Sequence, residues 1–343
     1  MGRDAAPYSG AQRGLNIDAV AITAQRFGIV GTATPLPGYS DENFRIETET
    51  GEVFVLKVTS RDREHVRLQA AVFDAIRSKT PYETPKTVAA GSNTAVTLLD
   101  GRTARLLTWV EGTSFSDSKR PPDNALAIGV AVGRIVDALE PVAAASTDRQ
   151  DWDPATADHT IRERAAAVTD ERRRTLVLEI AGVVAELDLT SLPRQIIHGD
   201  LNDDNVLLAD GRVSGVIDAG DAMHTIRIAE PAIAAAYAIL DQNDPPSVAH
   251  DLIAGFASIV AIAPEEAEVI WPLIKGRLAT SVVMAASGPR DNPHRVKSEN
   301  QVWDILERFP AGNSDLMAEQ VLSAARHASA RVRDQPPDAP PAR

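Results

Sequence analysis

The sequence predicts an α+β architecture of two lobes, a small antiparallel sheet followed by a mainly helical body. Three observations carry that expectation. Strand-like alternation and turn signals fill the chain up to about Thr108. From Pro121 onward the apolar residues recur with helical periodicity. Within the helical part, residues 196–217 break the pattern: two short apolar runs flank Ala209-Asp210-Gly211, a hairpin turn signal.

In chain order, a short helix near Asn16–Phe27 precedes an extended run ending in Pro35-Leu36-Pro37-Gly38. Asn43-Phe44-Arg45-Ile46-Glu47 alternates, Thr48–Gly51 turns, and Val53–Val58 is a second strand of β-branched and aromatic residues. Arg63–Ser78 reads as a helix because Val66, Ala70, Phe73 and Ile76 fall on one face. A further hairpin runs from Ala95–Leu99 through Asp100-Gly101 to Ala104–Val110. The helical zone comprises Asn124–Leu139, Pro154–Val168, Thr175–Leu187, Ile228–Leu240, Ser247–Val260 and Pro264–Ala286. Gly129 and Gly133 within the first of these mark close helix packing.

Composition removes several function classes. With 343 residues, 44% hydrophobic and 24% charged, the chain is an ordinary globular one, long enough for one large bilobal domain or two ordinary ones. A net charge of −13 lacks the basic footprint that nucleic-acid binding requires, and suits a cationic partner. No cysteine is present, which excludes disulfides, thiol catalysis and thiolate metal sites. The seven histidines show no metal-ligand spacing, so zinc is not expected. The polar N-terminus has no signal-peptide pattern, and the longest apolar stretch, near Ala232–Leu240, falls short of a membrane span. The expected location is the cytoplasm, with no membrane or nucleic-acid partner.

Chemistry concentrates at residues 198–221. Asp200 and Asn205 are five residues apart, and Asp218 lies thirteen beyond Asn205. In phosphoryl transfer of the protein-kinase type, an Asp at the first position takes the proton of the acceptor hydroxyl. The Asn and the later Asp hold magnesium against nucleotide phosphates. The pattern His198-Gly199-Asp200 with Asn205, followed by Ile217-Asp218 after a hairpin, resembles the aminoglycoside phosphotransferase and choline kinase superfamily. Gly199 stands where protein kinases usually carry Arg, and Ala219-Gly220 where they carry Phe-Gly. Ser40–Phe44, Val55-Leu56-Lys57, Leu106–Trp109, Trp152-Asp153 and the segment from Gly220-Asp221 to Ala236-Tyr237 are similar to the hydroxylysine-kinase-like branch of that superfamily.

The resemblance implies a protein-kinase-like fold, with a nucleotide-binding lobe over 1–108, a helical lobe over 109–333, and a disordered tail at 334–343. It implies a transferase that moves the γ-phosphoryl of ATP or GTP, with Mg2+, to a hydroxyl on an amine-bearing small molecule. Two alternatives stay open: an antibiotic phosphotransferase, and a catalytically weak nucleotide-binding regulatory module. Oligomeric state is open as well. Asp200 is assigned as the base, His198 as a support of the loop, and Asn205 and Asp218 as metal ligands. Lys57 is expected on the nucleotide phosphates, partnered by Gln69 or by Glu64, with Gln69 favoured. Ser40 is expected in the phosphate-covering turn, with Asp41 and Glu42 pointing outward or ordering the loop. The backbone of Trp109-Val110-Glu111 is expected to meet the purine. Asp203, Asp204, Asp221 and Glu230 are candidates for an acidic acceptor wall, Asp221 foremost. Arg277 is expected to pair either with an acceptor carboxylate or with an acid of the protein.

Overall fold

The computed structural model describes residues 18–36, 38, 41–91, 93–98, 100–118, 124–143, 150–288 and 293–309, with 319 and 323. The first lobe opens with α1 (Ala19–Ile22), capped by the Asp18 side chain, and a π-helical turn at Thr23–Phe27. Then come β1 (Gly31–Leu36), β2 (Glu42–Thr48), β3 (Val53–Thr59), α2 (Arg63–Lys79), β4 (Thr87–Val88), β5 (Val96–Thr97) and β6 (Thr103–Thr108). These strands form one antiparallel sheet in the order β1-β2-β3-β6-β4, with β5 pairing β6 further along the same edge as β4. Ile46, Leu56, Val58, Ala104 and Leu106 bury its apolar face against Ala19 and Phe27. The β3–β6 register sets Lys57 opposite Arg105, so two cations share one row of the sheet.

The chain crosses to the second lobe at Trp109–Gly112, and β7 (Thr113–Ser114) already pairs with a strand of that lobe. The helical body contains α3 (Asn124–Leu139), a 3-10 turn at Pro154–Thr156, α4 (Ala157–Arg164) and α5 (Glu171–Ala185). Two short ladders follow, built from β8 (Arg194–Ile197), β9 (Val206–Ala209), β10 (Arg212–Val216) and β11 (Met223–Ile226). β9 and β10 form the expected hairpin, closed by Asp210 and Gly211, both at positive φ as an Asp-Gly turn requires. β8 pairs with β11, so the segments on either side of the hairpin are stitched together. The body ends with α6 (Ala229–Ala238), α7 (Pro245–Ala257), α8 (Pro264–Ser287) and α9 (Pro293–Arg308).

Glycine sets the distance between α3 and α7. A Cβ at Gly129 would lie 1.9 Å from the Leu252 carbonyl oxygen, and one at Gly255 would lie 2.1 Å from that of Leu126. By length and composition α8 is apolar enough to cross a membrane, contrary to the sequence expectation. Trp271, Leu273, Ile274 and Leu278 are instead fully buried among α4, α5, α6 and α9, which makes α8 the core helix of the lobe. α9 was not anticipated, and α5 starts earlier than Thr175 because the Asp170 carboxylate accepts the Arg173 N–H at 3.0 Å. The expected tail at 334–343 lies outside the described residues.

Candidate active site

The loop from His198 to Asn205 joins β8 to β9. Gly199 sits at φ +80°, and a Cβ there would lie 2.2 Å from the Asp221 carbonyl oxygen. The loop is therefore packed against the Asp218–Asp221 turn at a distance that only glycine permits. From beneath, Glu230 on α6 accepts the Gly199 N–H at 3.1 Å. Burial pushes the Glu230 carboxyl up to about 7, while the backbone N–H groups of Gly199, His198 and Leu201 act against that rise. Glu230 is fully buried and turned onto the loop's backbone, so it is not part of an acceptor wall; it holds the loop. His198 supports the loop from inside: it is buried, its Nδ1 faces the Asp200 N–H at 3.4 Å, and burial lowers its ring pKa to about 4.

The Asp200 carboxylate takes three side-chain hydrogen bonds. Its Oδ1 accepts from Asn202 Nδ2 at 3.0 Å and from Arg277 Nη2 at 2.7 Å; its Oδ2 accepts from Asn205 Nδ2 at 2.8 Å. Burial pushes the Asp200 carboxyl up, to about 8, and Asp221, Asp218 and Glu230 act the same way. The Arg277 guanidinium opposes that shift without cancelling it. Asn205 also donates to the Asp200 carbonyl at 2.9 Å, so its amide nitrogen is committed to Asp200 and its amide oxygen is the end left for another ligand.

Asp218 follows β10 in the left-handed region at φ 56° and caps the next turn by accepting the Gly220 N–H at 3.2 Å. Lys57 reaches it from the other lobe, Nζ to Oδ1 at 2.6 Å. Burial acts to raise the Asp218 carboxyl, but Lys57 and Arg105 together hold it below the usual range. Lys57 also faces Asp41 at 3.6 Å, so Asp41 points inward and not outward as the sequence suggested. Glu42 turns away, to Arg102 at 2.5 Å.

The expected pairing of Lys57 with Gln69 or Glu64 is replaced. Gln69, buried on α2, accepts from Arg105 instead. Sequence reasoning missed Arg105. The signal was available, since a charge inside the apolar run Ala104–Leu107 has the same oddity that singled out Lys57. Also missed were three contacts made by two residues at or just before the start of α2. His65 Nε2 lies 2.7 Å from the Gly220 carbonyl, and Arg61 lies 3.8 Å from Asp221 and 2.9 Å from Gln150 Oε1.

At the crossing, the Trp109 N–H is spent on the Val53 carbonyl at 3.2 Å. Val110 packs against Gly215 at the bulge of β10. Ser40 lies outside the described residues. Asp203 is half-buried and its carbonyl accepts the Ser116 N–H at 2.8 Å, while the exposed Asp204 takes the Ser116 hydroxyl at 2.5 Å. Asp221 stays in the site; burial raises its carboxyl, and Arg277 opposes that rise.

Asn205 and Asp218 fit a hard divalent cation by the chemistry of their donors, an amide oxygen and a carboxylate. Among the described residues no group of three or more His, Cys, Asp or Glu side chains is arranged to hold a metal. A cation seated here therefore takes its remaining ligands from phosphate oxygens and water, the habit of magnesium in phosphoryl-transfer sites.

A family model described as "Phosphotransferase enzyme family" matches residues 32–269, more than half of the 343. The chain belongs to the phosphotransferase enzyme family. The hydroxylysine kinase of Mus musculus is 25% identical to this phosphotransferase over 332 residues, covering 85% of this chain and 88% of that one. Among solved structures, a microcompartment-associated aminopropanol kinase superposes with a TM-score of 0.66 at 15% identity, over 88% of this chain and 96% of that one. The amicoumacin kinase hAmiN, solved in complex with AMP-PNP, Ca2+ and Ami, superposes with a TM-score of 0.62 at 14% identity, over 81% and 89% of the two chains. The protein-kinase-like two-lobe α+β fold expected from the sequence is thus the fold of this phosphotransferase.

Proposed function

We propose that this phosphotransferase is a small-molecule kinase that moves the γ-phosphoryl group of ATP or GTP, with Mg2+, to a hydroxyl of an amine-bearing metabolite of the hydroxy-amino-acid or amino-alcohol kind. One observation carries the reading: Lys57 from the sheet lobe and Asp218 from the helical lobe meet at 2.6 Å, and Asn205 meets Asp200 at 2.8 Å in the adjoining loop. That is a complete set for positioning and charge neutralisation, which is most of what a loose phosphoryl-transfer transition state requires. The full set also argues against a catalytically silent regulatory module.

Asp200 orients the acceptor hydroxyl and receives its proton while the hydroxyl oxygen bonds to the γ-phosphorus. The bond from that phosphorus to the β,γ-bridging oxygen breaks, and a nucleoside diphosphate leaves. Magnesium, when bound through Asn205 and Asp218, neutralises phosphate charge. Lys57 exchanges Asp218 and Asp41 for phosphate oxygens as the nucleotide enters. The metabolite reading is supported by the hydroxylysine kinase, which matches along most of both chains. The antibiotic alternative rests on likeness of fold to aminoglycoside phosphotransferases at 13–14% identity and is the less supported. Incubation with ATP or GTP, Mg2+ and a panel of hydroxy amino acids, amino alcohols and aminoglycosides tests the proposal. Nucleoside diphosphate is expected with members of the first two groups; release only with aminoglycosides would replace the reading.

A further inference from the structure

Arg277 is a cation in a place where the phosphate-handling residues have no use for one. It sits in the middle of the core helix α8, 2% exposed, and projects into the helical lobe beside the base. Its three polar contacts spread over three elements: Nη2 to Asp200 Oδ1 at 2.7 Å, Nη1 to the Trp152 carbonyl at 2.9 Å, and Nε to the Tyr237 hydroxyl at 3.2 Å. The guanidinium carbon lies 4.6 Å from the Trp152 ring centroid and 5.5 Å from that of Tyr237, so the plane is fixed by two aromatic faces. These bonds use three of the five N–H groups that a guanidinium offers.

Asp200 is the side that opens to solvent, with its side chain 18% exposed against 2% for Arg277. An acceptor hydroxyl that reaches Asp200 therefore arrives against the Arg277 guanidinium. It also meets an Asp200 whose Oδ1 is already engaged by Arg277 and Asn202, and whose Oδ2 is engaged by Asn205. The neighbourhood is otherwise acidic, with Asp203 and Asp221 nearby. Acids around one oriented guanidinium complement a zwitterion: an ammonium group toward the acids, and a carboxylate toward the planar fork that matches it.

We propose that Arg277 is the recognition residue for a carboxylate on the acceptor, and that this carboxylate replaces Asp200 as its partner, so that the base is released to the hydroxyl when a hydroxy amino acid is seated. The inference rests on the small-molecule kinase reading and narrows it from amino alcohols to hydroxy amino acids. Arg277 is thus a binding residue that couples acceptor identity to the freedom of Asp200. The transfer itself is unchanged: the proton passes to Asp200 and the phosphoryl group to the acceptor oxygen.

The test compares three acceptors with the intact chain, ATP and Mg2+: hydroxylysine, its carboxamide, and its decarboxylated counterpart. The wild type is expected to prefer the free acid in kcat/KM by roughly 10- to 100-fold, the worth of charge-assisted hydrogen bonds to one carboxylate. In Arg277→Met the ratio between free acid and decarboxylated amine should collapse toward unity, whatever happens to the rate common to both. A merely structural arginine would lower both rates and leave their ratio intact, and that result overturns the proposal. A second measurement does not depend on the variant folding: lysine, which lacks the hydroxyl, should inhibit the wild type competitively against the acceptor, and its decarboxylated form should not. Equal wild-type turnover of acid, carboxamide and amine would overturn the carboxylate subsite while leaving the kinase reading in place. Turnover of no hydroxyl acceptor at all would remove both.

Discussion

His198 gives a stability change that can be worked from its surroundings. It is fully buried in the catalytic loop, and burial lowers its pKa from 6.5 to about 4. Above pH 6.5 the ring is neutral in both folded and unfolded chains and costs nothing. As the pH falls below that value, the unfolded chain takes up a proton that the folded chain refuses, so the unfolded state binds more protons and stability drops. The difference spans about 2.5 pH units, and each is worth about 1.4 kcal/mol. The full penalty is therefore roughly 3.5 kcal/mol, of which about 2 kcal/mol is present by about pH 5. Many carboxylates titrate in the same window, so the contribution of this one ring is isolated by comparison with His198→Gln. Urea unfolding of both proteins between about pH 7.5 and pH 5 gives the difference directly. At the upper end the wild type should be the more stable, because the variant loses fitted packing around the loop. Toward pH 5 the gap should narrow by about 2 kcal/mol, since the variant has no ring to titrate. A gap that stays constant across the range would mean that His198 protonates as readily in the fold as out of it, and the account of a desolvated support would fail.

Two other substitutions probe the same machinery. Gly199→Ala places a methyl group 2.2 Å from the Asp221 carbonyl oxygen at a positive φ. It should lower stability by at least about 2 kcal/mol, the sum of left-handed strain and overpacking, and a melting temperature equal to wild type would contradict the packing described. Lys57→Met removes the group that bridges the lobes to Asp218; ATP affinity measured calorimetrically with Mg2+ should fall at least about tenfold, as expected for loss of a charge-assisted contact. Unchanged affinity would show that Lys57 is an ion-pair residue of the fold and does not handle phosphate.

The sheet lobe was legible because its strands alternate and its turns carry Asp-Gly or Gly at the positions that need positive φ. Six helices of the helical lobe were legible in their order, yet two things escaped. α9 has a polar-rich sequence whose apolar face, Val302, Trp303, Ile305 and Leu306, makes sense only against α8. The β8–β11 ladder joins segments on either side of the catalytic hairpin, a pairing that local patterning does not encode. In the site, Asp200, Asn205, Asp218 and Lys57 were readable from spacing and from charge in apolar context. Partner choice was not. Lys57 was expected to meet the helix that follows it in sequence, but the lobe-to-lobe contact with Asp218 supplies the carboxylate, and Gln69 is left to Arg105 across the sheet. Glu230 misled for a related reason. A carboxylate at the start of a helix reads as a solvated cap or a binding acid, and only the three-dimensional packing shows it beneath the backbone of the catalytic loop.

The central claim is that Asp200 takes the proton of the acceptor hydroxyl while Lys57, Asn205 and Asp218 handle the nucleotide and its metal. Asp200→Asn tests it most directly, with nucleotide binding and single-turnover phosphorylation of a hydroxy amino acid measured on the same preparation. Nucleotide affinity with Mg2+ should stay within a few-fold of wild type, while the rate of phosphoryl transfer falls by about 10²–10⁴, the usual worth of a positioned general base. A variant that binds nucleotide and still transfers phosphate at the wild-type rate would contradict the assignment of Asp200.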